Sequence, residues 1–294
     1  MRLMLNCVAA CVVLCLLAAP ALATDAVERP DEGVDMTRLL DTDVDVATRR
    51  ALFAQLERAV ASDPAPALLY SLGSLYRRGD DAREPAFVKD TDKARELLSR
   101  AALGGALLAM AKMSVLELAA GNRFEANVWA QVYYHYRKDA LESSRRGSDS
   151  FAASLIANAQ KRFDRKRLPE LNESVGRMIA QYDAQIRAGI ARTARELDES
   201  GLLPRPSGRG VLPELKGKTP EAGIAEYYVG FDAGGDVDRV WLLDAWPDAS
   251  LARVLRPIAK GYRVDGAPGV DLSRKFAVLP IEFSDLRHRI RKGD

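Results

Sequence analysis

The side chains able to do chemistry are few and scattered. The chain carries two histidines, His135 and His288, and three cysteines, Cys7, Cys11 and Cys15. A zinc site needs nitrogen or sulfur ligands grouped closely. Two separated histidines, with all cysteines inside one apolar segment, do not provide that group. His135 stands in a tyrosine-rich stretch and reads as a partly buried or interfacial histidine; His288 stands in the basic run RHRIRKGD. No Gly-x-Ser-x-Gly elbow, Walker loop or dinucleotide fingerprint occurs. Asp80–Asp81 and Asp90/Asp92 flank expected helix ends, where capping explains them better than acid–base work. Asp41, Asp43 and Asp45 lack EF-hand spacing. The expectation is a protein that is not an enzyme, with no catalytic residues, no cofactor and no metal. What remains is recognition chemistry. Trp129, Tyr133, Tyr134 and Tyr136 are aromatic types favoured as interface anchors. They run on both faces of one helix, so core packing and a binding face both stay open.

Composition narrows the partners. Lys and Arg number 43 against 41 Asp and Glu, a net charge of +2. That balance argues against a nucleic-acid partner or a membrane-surface role. The N-terminus reads MRLMLNCVAACVVLCLLAAPALA. Arg2 gives a positive start, Leu3 to Ala19 is apolar, Pro20 breaks the run, and Ala21-Leu22-Ala23 is a small-x-small cleavage pattern. Residues 1–23 are therefore expected to be a signal peptide, cut after Ala23, which places the protein in the periplasm or outside the cell. An uncleaved anchor is the alternative, since about 17 apolar residues is near the lower limit for a span. A lipoprotein signal at Cys11 is a third reading. Cleavage leaves no stable membrane span and no cysteine, so stability must come from a packed core.

The rest of the chain divides by pattern. Residues 24–44 are polar and read as a flexible lead. Asp45 can cap a helix from Ala47 to Ala61. A helix from about Pro66 to Arg78 follows, with Leu68, Leu69, Leu72, Leu75 and Tyr76 forming an apolar stripe. Gly73 inside it implies close approach of a neighbouring helix, because glycine there costs about 1 kcal/mol. Asp90 or Thr91 starts the next helix, through Leu103, and Gly104-Gly105 turns the chain. Helical pattern continues to Asp198, with breaks at Gly147 and Pro169. Glu170 to Asp198 reads as one long amphipathic helix, either closing a bundle or forming a dimer seam.

The residues Leu72-Gly73, Leu75-Tyr76, Gly79, Lys93-Ala94, Leu98, Ala101-Ala102, Gly105 and Ala109 resemble the Sel-one-like repeat, a relative of the tetratricopeptide repeat. A degraded second copy would run from Gly105, with Gly121, Ala126 and Trp129-Ala130 in the family positions and Ser114-Val115 replacing its Leu-Gly pair. The resemblance implies stacked helix pairs over residues 45–200 and a protein-binding role.

Residues 201–223 are rich in Gly, Pro, Lys and Arg and read as a linker. After it the period shifts to that of strands. Ile224 to Phe231 and Val237 to Asp244 are expected strands, joined by the turn Asp232-Ala-Gly-Gly-Asp236. Asp248 or Ser250 starts a helix through Ala259, and Lys275 to Phe283 is a last strand. Gly235-Asp236-Val237, Leu243-Asp244, Gly261-Tyr262-Arg263, Gly266-Ala267-Pro268 and Val278-Leu279-Pro280-Ile281-Glu282-Phe283 resemble the C-terminal domain of TonB-type energy transducers. That resemblance covers residues 224–284 and leaves 285–294 as a basic tail. It implies an edge strand that accepts a strand from an outer-membrane receptor, with Val278, Pro280 and Ile281 as candidate contacts. The family's Tyr-Pro near the domain start and its long Pro-rich spacer are absent.

The expected fold class is α+β: an α-helical repeat domain, then a three-stranded antiparallel sheet with one helix. The expected function is that of an adapter in the cell envelope, binding a protein partner. The alternative is a TonB-type transducer contacting an outer-membrane receptor.

Overall fold

A computed structural model describes residues 33–143, 150–200, 202–207, 222–265 and 271–283. The expected signal peptide, the first part of the lead, the break at Gly147, most of the linker, the turn at Gly266-Ala267-Pro268 and the basic tail lie outside these residues.

The fold is α+β, with helices first and strands after them. Helix α1 (Met36–Leu40) lies within the expected flexible lead. Asp35 starts it by accepting the backbone N–H groups of Thr37 and Arg38 at 3.1 and 3.2 Å, and Leu39 and Leu40 are buried. Helix α2 (Val46–Ser62) starts where Asp45 accepts the Thr48 N–H at 2.8 Å, and buries Phe53, Leu56 and Val60 at helical spacing. Proline begins α3 (Pro66–Arg78), where its missing N–H costs nothing. Asp90 caps α4 (Thr91–Leu103). A Cβ on Gly73 would stand 2.9 Å from Leu98 Cγ, so glycine is what lets α3 and α4 close together.

Next come α5 (Leu107–Ala119), α6 (Arg123–Ser143), α7 (Ser150–Gln160) and α8 (Leu168–Ser200). Helices α5 and α6 pack as a pair, as α3 and α4 do, and α8 crosses α6 and α4. One contact fixes that crossing. A Cβ on Gly189 of α8 would stand 1.9 Å from the carbonyl oxygen of Gly104, and Gly105 beside it has a φ of +94°. Backbone meets backbone there, which only glycine permits. Residues 191–200 of α8 are exposed.

Three strands, β2 (Gly223–Phe231), β3 (Val237–Trp246) and β5 (Phe276–Phe283), form an antiparallel sheet in the order β3-β2-β5. Pro280 is tolerated in β5 because β5 is an edge strand, where a missing donor leaves a ladder bond unbroken. Helix α9 (Leu251–Ala259) covers one sheet face through Leu251, Val254 and Leu255 against Tyr227, Val229, Leu279 and Ile281. A further two-stranded ribbon pairs β1 (Arg205–Pro206), from the expected linker, with β4 (Tyr262–Arg263).

The second sheet face packs on the helices. Ile224, Leu243 and Trp246 belong to the same core as Leu75, Met110 and Tyr133. Strand β3 touches α1 and α3. The described residues from Val34 onward thus form one compact unit, although the period of the sequence changes between residues 200 and 224. The reason is in β2: its residues are buried on both faces, so the sheet cannot bury itself with α9 alone.

Candidate functional site

The seam between helices and sheet carries a closed set of charges. In the β2–β3 ladder Glu226 lies directly opposite Asp244. Like charges in that position repel. Both side chains are fully buried, where an unpaired carboxylate would be far more costly still. Lys112, from the middle of α5, resolves the conflict. Its Nζ lies 2.5 Å from Glu226 Oε2 and 2.9 Å from Asp244 Oδ2, and Lys112 is itself fully buried.

Every remaining polar atom around this ammonium finds a partner. Lys112 Nζ donates to Ser74 Oγ at 2.6 Å, and Ser74 in turn donates to the Tyr70 carbonyl at 2.7 Å. Tyr70 OH donates to Glu226 Oε1, and Trp246 Nε1 donates to Glu226 Oε2 at 3.0 Å. Arg77 grips Asp244 with two nitrogens, Nε at 2.8 Å from Oδ2 and Nη2 on Oδ1, and reaches the Ala245 carbonyl at 2.8 Å. The Lys112 ammonium also sits 4.3 Å from the centre of the Tyr70 ring, a cation–π contact. Two cations meet two carboxylates, and the cluster is neutral. Burial pushes the Asp244 carboxyl up, but attraction to Lys112 and Arg77 outweighs it and holds the group below the usual range. Burial beside Glu226 pushes the Tyr70 phenol well up, so it remains a donor.

Arg77 links this cluster to the surface. Its outer side lines a groove of 610 Å³ between α5, α7 and the β3–α9 corner. The floor is apolar: Val115, Leu116, Leu118, Ala119, Phe151, Leu155 and Pro247. Among the described residues, the ionisable groups that line it are Arg77, Lys89, Arg123 and Lys161, with no carboxylate. Arg123 Nη1 donates to the Lys161 carbonyl at 2.8 Å, which fixes one rim. A second cleft, of 750 Å³, is lined by Asp41, Asp43, Asp80, Asp81 and Asp238 as well as Arg49, Arg78, Arg239, Arg256 and Lys260. It favours neither sign of charge. Among the described residues no group of three His, Cys, Asp or Glu side chains is placed to hold a metal ion.

The residues singled out in the sequence fall elsewhere. Trp129, Tyr133 and Tyr136 are buried, because α5, α7 and α8 cover α6 on several sides. Tyr134 and His135 are half-buried. On β5, Val278 is 42 % exposed and Pro280 is exposed, while Ile281 points into the core under α9. None of these eight residues lines the groove. Lys112, Glu226, Asp244, Tyr70 and Arg77 were not anticipated as a set. The available signal was a charge inside an apolar run, Lys112 in LLAMAKMSV and Glu226 in GIAEYYVGF, since such a charge requires a buried partner.

No protein-family model, curated protein or solved structure matches this chain.

Proposed function

We propose that this protein is an adapter of the cell envelope that binds an extended segment of a protein partner in the groove lined by Arg77, Lys89, Arg123 and Lys161. The observation that carries this reading is the groove's composition: among the described residues it has an apolar floor, a cationic rim and no acid. Such a lining suits a partner segment that alternates apolar and acidic side chains. Its apolar side chains would supply most of the affinity, and the rim charges would speed encounter and set register. The resemblance to Sel-one-like repeats supports a protein-binding role, and the signal-like N-terminus supports an envelope location. No helix among the described residues is long and apolar enough to cross a membrane.

The test uses the full chain as bait in envelope extract, with a photo-crosslinking residue in place of Leu118. The expected result is a crosslinked protein that is lost in a Lys89→Glu/Arg123→Glu/Lys161→Glu variant. Equal capture by both forms would remove the groove from the reading.

A second reading, a TonB-type transducer, draws on β5. It is an edge strand with Val278 and Pro280 exposed, the arrangement that strand addition uses. A charged residue at Val278 would abolish receptor contact under this reading and leave groove binding unchanged.

A further inference from the structure

Lys112 is a primary amine sealed from water between two carboxyl groups, on a helix that must be held to a sheet. Nζ stands 2.5 Å from Glu226 Oε2. A carbonyl bond is about 1.23 Å long, so Cδ of Glu226 lies within about 3.7 Å of the amine nitrogen. Reacting atoms in a near-attack arrangement stand about 3–3.5 Å apart. We propose that Lys112 and Glu226 condense to an intramolecular amide, a covalent strap between α5 and β2.

The step balances within the residues present. One proton of the Lys112 ammonium passes to Glu226 Oε2, giving a neutral amine and a neutral acid. Nζ attacks Cδ, and negative charge develops on Oε1. A second proton passes from nitrogen to Asp244 Oδ2, 2.9 Å away, and on to the hydroxyl at Oε2. The Cδ–Oε2 bond breaks, one water leaves, and the amide keeps one N–H.

Each neighbour has a part in this step. Tyr70 OH donates to Oε1, where the oxyanion forms. Trp246 Nε1 donates at 3.0 Å to Oε2, the departing oxygen. Arg77 holds Asp244 ionised and ready to accept the proton. Condensation also relieves the cost of the site. Burial penalises both members of an ion pair, and the amide removes both charges at once. Arg77 and Asp244 then remain as a neutral pair, and the amide N–H still faces Asp244. The inference stands apart from whatever the groove binds.

The test is the mass of the purified full chain under denaturing conditions, compared with the mass expected from its observed N-terminus. The expected result is a deficit of one water. Tandem mass spectrometry of a digest should place it in a branched peptide joining the Lys112 and Glu226 segments. Lys112→Met should restore the full mass. Asp244→Asn, followed from freshly refolded chain, should slow the loss of water by a hundredfold or more, the size of a missing general base. A wild-type chain that keeps its full mass after prolonged incubation at neutral pH overturns the proposal, and so does a deficit mapped to other residues. Condensation of the Asp244→Asn chain at the wild-type rate overturns the step as written.

Discussion

Glu226 and Asp244 are cross-strand neighbours of like charge, both fully buried, and the face they share is turned toward the helices. Two carboxylates in that position cannot be accommodated by the sheet itself. Lys112 and Arg77, both from helices, neutralise them. The sheet thus depends on the helical part for its charge balance as well as for its apolar cover.

Removing the central cation should therefore be costly. Lys112→Met leaves two buried carboxylates with one cation between them. Breaking the buried pair of the uncondensed chain in this way costs about 3–5 kcal/mol, and loss of the proposed amide would add to it. Denaturant unfolding of the variant should show a loss of at least that size, whereas Arg177→Ala, which breaks an exposed i,i+4 pair and an exposed hydrogen bond to Ser174 on α8, should change stability by less than about 1 kcal/mol.

Acid should loosen the same seam. The Asp244 carboxyl is held below its unfolded value, so the folded state stays unprotonated to lower pH than the unfolded chain does. Its stabilisation is fully present above the usual aspartate pKa, about 3.9, and is lost as pH falls through the lower folded value. Asp80 adds in the same direction: burial pushes it up, but the Ala86 N–H and Arg49 outweigh that. Glu282 works the other way, since burial raises it more than Arg137 lowers it. Asp244→Asn should be less stable at neutral pH and should show a shallower decline in stability below about pH 4, measured by unfolding at a series of pH values.

Two glycines in one helix should respond with opposite signs. Gly→Ala in a helix gains up to about 1 kcal/mol from propensity alone. At Gly176 nothing lies within 4 Å of a new Cβ, so that gain should appear. At Gly189 the Cβ would press on the Gly104 backbone at 1.9 Å, and an overpacking cost of about 1–3 kcal/mol should win. Thermal unfolding of the two single variants checks both.

The aromatic residues of α6 should behave as core. Tyr133→Ala removes a fully buried ring that meets Phe151 edge-on, with a centroid distance of 6.2 Å. A loss of about 3–5 kcal/mol is expected. Tyr134→Ala, at a half-buried position, should cost clearly less, and denaturant titration separates the two.

Groove binding should be sensitive to salt. Rim charges at Lys89, Arg123 and Lys161 are screened over about 8 Å at physiological ionic strength and about 3 Å at 1 M. An acidic, partly apolar peptide should bind more weakly as salt rises, and a neutral peptide of equal hydropathy should not. Fluorescence anisotropy with the full chain measures this. Affinity that does not change with salt would count against a role for the rim.

Much of the fold was legible because it rests on local rules. Asp45 as a cap, Asp90 as one of two candidate caps, Pro66 as a helix start and Gly73 as a close approach each follow from backbone donors or from missing atoms. The turn between β2 and β3 was readable from its glycines and aspartates. The site was not, because its partners are far apart in the chain. Lys112 and Glu226 are separated by more than a hundred residues, and no periodicity records which helix face meets which strand. The aromatic run of α6 failed as a guide for a related reason. Rings on two faces of a helix signal an interface only if one face is left uncovered, and α5, α7 and α8 leave little of it open.

The charges shared between α5 and the sheet have a practical corollary. A fragment ending near residue 200 would carry an orphan ammonium in an oily surface, and the complementary fragment would present two naked acids beside a tryptophan. Neither piece would keep the packing and charge balance of the whole. The two halves have to be inherited, expressed and purified as one.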